Sequence, residues 1–235
     1  MKKTLIAIIL LILFPLTSSA ALLFGTATSD YVSIAPATAI NNLDPFTYWC
    51  WIYSTNTQDN GRVMSHGNDN REYIDVANKM RLYVSRATQA TVIDSATSFS
   101  DNVWTFVAAT YSGGTVNHYI GTLTSLVKLA GNTTVLAGSG TITDDTANSL
   151  YIGNRSTGTL NRSFGGRIAV CGYENAALTL GNLRVKQFFP VRTSSTVGLW
   201  ILGYNRLTNV PDYSGNRNTG TISGARLTPH VPLGR

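Results

Sequence analysis

The stretch Phe46-Thr-Tyr-Trp-Cys-Trp-Ile-Tyr53 decides the fold class of this chain. Aromatic and β-branched residues dominate it, Asp44-Pro45 precedes it, and a polar loop from Ser54 to Gly61 follows it. Aromatic and β-branched residues favour extended strands, whereas Pro, Asp, Asn and Gly favour the turns that end strands. The stretch therefore predicts a β-strand with a turn at each end.

The rest of the chain repeats this pattern of short apolar segments and turns. Trp104 to Tyr111 is a second predicted strand, and Ser112-Gly113-Gly114 is a turn after it. Of the 12 acidic residues only Glu72 and Glu174 are glutamates, so the chain lacks the residues that build helical bundles. Only Ala176 to Phe188 has helical potential. With 235 residues and no internal linker, the sequence predicts one all-β domain.

The first twenty residues have the layout of a secretory signal peptide. Lys2 and Lys3 form a basic start, Leu5 to Leu16 are apolar, and Ser18-Ser19-Ala20 offers a cleavage site. An uncleaved membrane anchor is the alternative, although the apolar run is short for a bilayer. We expect a signal peptide at 1–20, one domain at 21–226 and a loose C-terminal tail at 227–235. We also expect a secreted or cell-surface location, with no membrane span after cleavage.

The charge of the chain is only mildly basic. Removing residues 1–20 would lower the net charge from +6 to +4, because Lys2 and Lys3 are the charged side chains of that segment. Lysine and arginine do not cluster, so the sequence predicts no nucleic-acid partner. Cys50 and Cys171 are the only cysteines. After export they would form one disulfide, and the alternative is two buried thiols that act as small apolar residues.

Several ordered segments resemble one known family. They are Phe46 to Ile52, Trp104 to Gly114 with the strand Val116 to Ile120, Leu150 to Gly153, and Gly166 to Asn175. Together they resemble the laminin-G-like, concanavalin A-like jelly-roll family of lectins and glucanases. The resemblance implies a two-sheet antiparallel jelly-roll sandwich and a non-catalytic, lectin-like role in carbohydrate binding.

An enzyme of this fold would need two closely spaced carboxylates on one strand face. Glu72 and Glu174 are far apart in the sequence, and no Glu-x-Asp-x-x-Glu pattern exists. His118 alternates with Val116 and Ile120, which predicts a packed core histidine rather than a catalytic one. The sequence therefore favours a non-catalytic protein, with an atypical glycan-degrading enzyme as the weaker alternative.

Strand alternation in Phe46 to Tyr53 suggests a sugar-binding surface. Phe46, Tyr48, Cys50 and Ile52 share the face expected to form the core between the sheets. On the opposite face, Trp49, Trp51 and Tyr53 stand where a solvated strand would carry polar residues. We hypothesise that these three rings, with Tyr83, form a stacking platform for sugar rings. The alternative is that loops cover this face and bury the rings.

A calcium site is a second hypothesis, and Ca²⁺ is the one cofactor considered. Asp30, Asp212 and Asn216 offer hard oxygen ligands near the two chain ends, which the jelly roll brings into adjacent strands. The alternative is that the Asp212 to Asn218 segment is an ordinary turn held by side-chain-to-backbone hydrogen bonds.

The partner predicted from these observations is a carbohydrate. The runner-up is a structural or adhesive protein of a cell or virion surface, in which the sandwich contacts other surface proteins or copies of itself.

Overall fold

The computed structural model describes residues 21–25, 30–56, 61–67, 73–75, 79–155, 162–203 and 208–228. The predicted signal peptide and most of the predicted tail lie outside these residues and remain predictions. Within the described ranges, no helix is both long and apolar enough to span a membrane.

The described residues form seventeen strands, one α-helix and a 3-10 helix at Thr38–Ile40. The strands of the first half of the chain are β1 (Ala21–Phe24), β2 (Tyr31–Ile34), β3 (Phe46–Asn56), β4 (Arg62–His66), β5 (Tyr73–Asp75), β6 (Arg81–Val84), β7 (Thr91–Asp94), β8 (Trp104–Ser112) and β9 (Thr115–Gly121). The remaining elements are β10 (Leu126–Lys128), β11 (Thr133–Leu136), β12 (Leu150–Ile152), β13 (Gly165–Glu174), α1 (Leu180–Phe188), β14 (Thr196–Ile201), β15 (Asn209–Val210), β16 (Gly220–Ser223) and β17 (Arg226–Thr228).

The strands pair into two antiparallel sheets. The eight-stranded sheet has the order β10-β9-β8-β3-β13-β1-β17, and β14 also pairs with β13. The nine-stranded sheet has the order β11-β7-β6-β5-β4-β12-β2-β16-β15. Strands distant in sequence are neighbours in both sheets, so the chain crosses between the layers several times. The predicted two-sheet antiparallel sandwich is confirmed.

The main core lies between the sheets and follows the alternation of β3. Phe46, Tyr48, Cys50 and Ile52 are buried in it, as predicted. The opposing sheet contributes apolar side chains such as Leu82. Cys50 lies directly opposite Cys171 in the β3–β13 register, and the structure joins the two in a disulfide. Of the two alternatives that the sequence leaves open, the structure contains the disulfide.

The α-helix lies on the outer face of the eight-stranded sheet. It starts after Thr179, whose side-chain oxygen accepts a hydrogen bond from the backbone N–H of Asn182. This hydrogen bond is a standard helix N-cap. Leu183 is completely buried in a second apolar cluster under the helix. The helix falls within the segment, 176–188, for which the sequence predicts helical potential.

The predicted tail begins too early in the sequence. Leu227 and Thr228 belong to β17, which pairs with β1 in the register Leu22↔Leu227 and Ala21↔Thr228. Pairing supplies hydrogen-bond partners to the backbone edge of β1, which a loose tail would leave exposed. The ordered domain therefore extends at least to Thr228.

Candidate functional site

The predicted stacking platform is wrong for the two tryptophans, because both rings are buried. Trp49 is 0% exposed and Trp51 is 1% exposed. The indole Nε1 of Trp49 donates to Oε1 of Glu174 at 3.1 Å, and Nε1 of Trp51 donates to the carbonyl of Gln187 at 2.9 Å. Helix α1 and its neighbours cover the face, so neither ring can stack on a sugar.

The lack of a side chain at Gly172 is what lets Trp49 lie flat on the sheet. Gly172 stands opposite Trp49 in the β3–β13 register. A Cβ atom at this glycine would lie 2.1 Å from Cε2 of Trp49. The missing side chain of the glycine therefore matches the shape of the tryptophan ring in the second apolar cluster.

The other two predicted platform residues lie on opposite outer faces of the sandwich. Tyr53 is half-buried beside the tryptophans, with its ring centroid 5.6 Å from that of Trp104 and 5.2 Å from Cζ of Arg167. Tyr83 belongs to the nine-stranded sheet, where its neighbours Leu82 and Val84 point into the main core. Because alternate residues of a strand point to opposite faces, Tyr83 faces outward. The predicted combination of these rings into one platform is therefore wrong.

Tyr83 instead shares the outer face of its own sheet with other tyrosines. Tyr151 of β12 and Tyr31 of β2 are also half-buried, and their ring centroids lie 5.7 Å apart in an edge-to-face contact. The backbone register connects Tyr151 to Ser65, Ser65 to Tyr73, and Tyr73 to Tyr83. Tyr83 and Tyr151 therefore stand in one cross-strand row, three strand spacings or about 14 Å apart. On β2 the residue opposite Tyr151 is Ser33, and Tyr31 lies two residues before it on the same face. We call Tyr83, Tyr151 and the adjacent Tyr31 the tyrosine row.

A hydrogen-bonding pair stands beside the tyrosine row. Arg81 lies two residues from Tyr83 on the same face of β6, directly opposite Asp94 of β7. Its Nη2 donates to Oδ2 of Asp94 at 2.7 Å, and its Nε donates to Oδ1. The side chain of Arg81 is 35% exposed. The face thus offers aromatic rings for the apolar side of a sugar and charged groups for its hydroxyls.

The sequence reasoning missed Tyr31 and Tyr151, although a signal for them was present. Tyr31-Val-Ser-Ile34 and Leu150-Tyr-Ile152 alternate between polar or aromatic and aliphatic residues. That alternation places both tyrosines on the face opposite the core.

The proposed calcium ligands are not brought together. Asp30 precedes β2 beside the Ser223 end of β16, whereas Asp212 and Asn216 precede the Gly220 end. A strand length separates the two groups, because β2 and β16 run antiparallel. Among the described residues, no group of three or more His, Cys, Asp or Glu side chains could hold a metal ion.

Local hydrogen bonds already engage carboxylate oxygens of the two aspartates and the amide nitrogen of Asn216. Oδ2 of Asp30 accepts from the backbone N–H of Gly25 at 2.6 Å. The carboxylate of Asp212 accepts from the backbone N–H groups of Leu199 and Asn218 and from Ser214. The amide of Asn216 donates to the carbonyl of Val197 at 3.1 Å. These contacts are those expected of a side-chain-stabilised turn.

The glutamate and the two histidines that the structure describes are buried. Glu174 is completely buried, and its Oε1 lies 2.8 Å from Nζ of Lys186, which is also buried. His118 is completely buried too, as predicted for a packed core residue, and burial lowers its pKa from the ordinary 6.5 to about 4. His66 and Asp145 form another buried pair, with Nδ1 3.2 Å from Oδ2. Glu72 lies outside the described residues.

Two antiparallel sheets packed face to face define a β-sandwich. A laminin-G-type family model of the concanavalin A-like lectin/glucanase superfamily matches residues 25–182, which is more than half of the chain. The chain belongs to this superfamily, and the predicted resemblance is confirmed. No curated protein matches the sequence.

Solved structures support the same fold at low sequence identity. A candidate carbohydrate-binding protein from Bacteroides ovatus is 18% identical with a TM-score of 0.63, and the match covers 92% of this chain but 61% of that one. This chain therefore spans about three fifths of that protein. A heptameric SAP-like pentraxin from Limulus polyphemus is 13% identical with a TM-score of 0.55, covering 90% and 95% of the two chains. The enzymatically active domain of tailspike protein 2 from bacteriophage CBA120 is 10% identical with a TM-score of 0.51, covering 79% and 34%.

Proposed function

We propose that this chain is a non-catalytic, lectin-like domain that binds an extracellular or surface glycan. The observation that carries the proposal is the tyrosine row on the outer face of the nine-stranded sheet. Its three rings are partly exposed. On the other sheet, by contrast, α1 covers the outer face and buries the second apolar cluster there. The family, and the similarity to the candidate carbohydrate-binding protein from Bacteroides ovatus, support the same ligand class.

The shape of the row favours an extended saccharide over a single sugar. The rings of Tyr83 and Tyr151 are separated by about 14 Å of sheet surface, so one small ring cannot stack on both. Ser65 stands between them in the same row and is only 1% exposed, so a saccharide chain has to bridge this covered stretch to contact both rings and to reach Arg81 and Asp94. Export by the predicted signal peptide belongs to this proposal, because such ligands lie outside the cell.

The test is a glycan array followed by titration of the best saccharide. We expect Tyr83→Ala with Tyr151→Ala to weaken binding roughly tenfold or more, since each lost aromatic contact is worth on the order of 1 kcal/mol. Tyr213→Ala is the matched control, because Tyr213 is 40% exposed in the loop after β15. Circular dichroism and melting of each variant separate lost contacts from lost folding.

The same array decides between the two leading functions. A defined saccharide hit that depends on Tyr83 and Tyr151 supports the lectin. No hit, together with oligomers in size-exclusion chromatography, supports the structural or adhesive alternative. Phe188 and Phe189, which are 43% and 67% exposed at the end of α1, are the observation that favours this alternative. Running the array with and without calcium tests the calcium hypothesis at the same time.

A further inference from the structure

A polar cleft lies among the loops that surround the start of β14. Its volume of about 690 Å³ is within the range of small-molecule sites. It is formed by the 3-10 helix with the loop after it, the residue after β13, the loop between α1 and β14 with the start of β14, and the turn before β16. The lining residues are Thr38, Ala39, Leu43, Asn175, Arg192, Thr193, Ser194, Thr196, Val197, Ser214 and Asn216.

Arg192 is the one charged residue of this lining. Within the described part of the chain, its guanidinium has neither a hydrogen-bond nor an ion-pair partner. It lies against Gly215, where a Cβ atom would come within 2.6 Å of Nη1, and the backbone φ of +94° also favours glycine. The turn thus leaves room for the guanidinium beside the cleft.

The loop that carries Arg192 is anchored on both sides of this residue. Nζ of the buried Lys186 donates to the carbonyl of Val191 at 2.9 Å and to Oγ1 of Thr193 at 3.1 Å. The backbone N–H of Thr193 donates to Oγ1 of Thr196 at 2.9 Å. Because the flanking residues are held, less conformational entropy is lost when Arg192 binds a ligand.

The two acids nearest to the cleft already have partners outside its lining. Glu174 pairs with Lys186, and its other oxygen accepts from Ser195 at 2.8 Å and from Thr196 at 3.0 Å. Asp212 accepts hydrogen bonds from the turn, including 2.8 Å from the backbone N–H of Ser214. The one charge that the lining itself presents is therefore the positive charge of Arg192.

We propose that this cleft is a second binding site, separate from the tyrosine row, for a sugar that carries a carboxylate. A guanidinium binds a carboxylate through two parallel hydrogen bonds. The neutral hydroxyl and amide groups around it suit sugar hydroxyls, and Ala39, Leu43 and Val197 offer apolar contact. The site does not depend on the proposed function.

The test is titration of the full chain with glucuronate and galacturonate, with glucose and galactose as neutral counterparts, by calorimetry or NMR. We expect the uronates to bind and the neutral sugars to bind at least about tenfold more weakly, as for a lost charge-assisted hydrogen bond. Arg192→Gln should remove this preference. Arg184→Gln is the matched control, because Arg184 is exposed on α1 outside the cleft.

Further variants and ligands distinguish binding in the cleft from binding at the tyrosine row and from simple anion binding. The Tyr83→Ala, Tyr151→Ala variant should keep its uronate affinity. If that variant loses uronate binding and Arg192→Gln keeps it, the cleft proposal fails while the lectin proposal stands. Equal binding of uronates and neutral sugars overturns the cleft proposal. Equal binding of acetate and uronate overturns the assignment to a sugar.

Discussion

His118 illustrates at the residue scale how burial sets the chemistry of a side chain. It lies on β9 opposite Ala109, facing the main core, and its Nδ1 is 3.4 Å from Oδ1 of Asn132. Desolvation lowers its pKa to about 4, and the contact with Asn132 and the charge of Asp94 only partly oppose this shift. His118 is therefore neutral in the folded protein at pH 5, whereas the unfolded chain is mostly protonated there.

This difference predicts a pH-dependent stability. Between pH 6.5 and 4 the unfolded chain binds a proton that the folded protein does not, so the free energy of unfolding falls as the pH falls through this window. At pH 5 the loss attributable to His118 should be about 2 kcal/mol. Urea unfolding of wild type and His118→Leu at pH 7 and pH 5 measures it. A pH dependence that is the same in both proteins would contradict the prediction.

Helix α1 shows at the element scale how one short segment closes a sheet face. Its buried side depends on Leu183 for apolar contact, and on Lys186 and Gln187 for polar contacts. Nε2 of Gln187 donates to the carbonyl of Ser125 at 2.8 Å, which ties the helix to the loop between β9 and β10. The helix thus connects the β9–β10 loop with β3 and β13, and it covers the tryptophans.

The buried Glu174–Lys186 pair should contribute strongly to the attachment of this helix and so to the free energy of unfolding. Lys186→Met leaves the carboxylate of Glu174 buried without a counter-charge, and we expect a loss of about 3–5 kcal/mol in the free energy of unfolding. Arg184→Met is the control on the exposed side of the same helix, with an expected change within about 0.5 kcal/mol. Chemical denaturation of both variants provides the measurement.

A double variant tests whether the loss arises from the pair. Adding Glu174→Gln to Lys186→Met removes both charges, so the double variant should be more stable than the sum of the two single losses predicts. Strict additivity of the single effects would mean that the two side chains act independently.

The disulfide acts at the scale of the whole molecule. Cys50 and Cys171 are 121 residues apart in the sequence and join the two central strands β3 and β13. In the chain-entropy model a loop of this size is worth about 4–5 kcal/mol, because the crosslink restricts the unfolded chain. We expect the double variant Cys50→Ala, Cys171→Ala to lower the free energy of unfolding by about the same 4–5 kcal/mol.

Denaturant unfolding of the oxidised protein and of the double variant measures the effect. Wild type unfolded under reducing conditions is the control, because it lacks the crosslink but keeps both cysteines. Two titratable thiols in the unfolded, unreduced protein would show that the disulfide does not form.

The period-two pattern of the sequence determined which residues share a face of a strand. It placed Phe46, Tyr48, Cys50 and Ile52 in the core, and the helical potential of residues 176–188 separately located the helix. Only the tertiary structure decided what covers each face. The partner of Trp51 is Gln187, 136 positions away, and nothing near the tryptophan in the sequence encodes that contact. Strand alternation is a local property of the backbone, whereas the packing of a helix on one sheet face depends on the whole chain. For this reason Tyr31, Tyr83 and Tyr151 are partly open to solvent on the outer face of the nine-stranded sheet, whereas the tryptophans of β3 are buried.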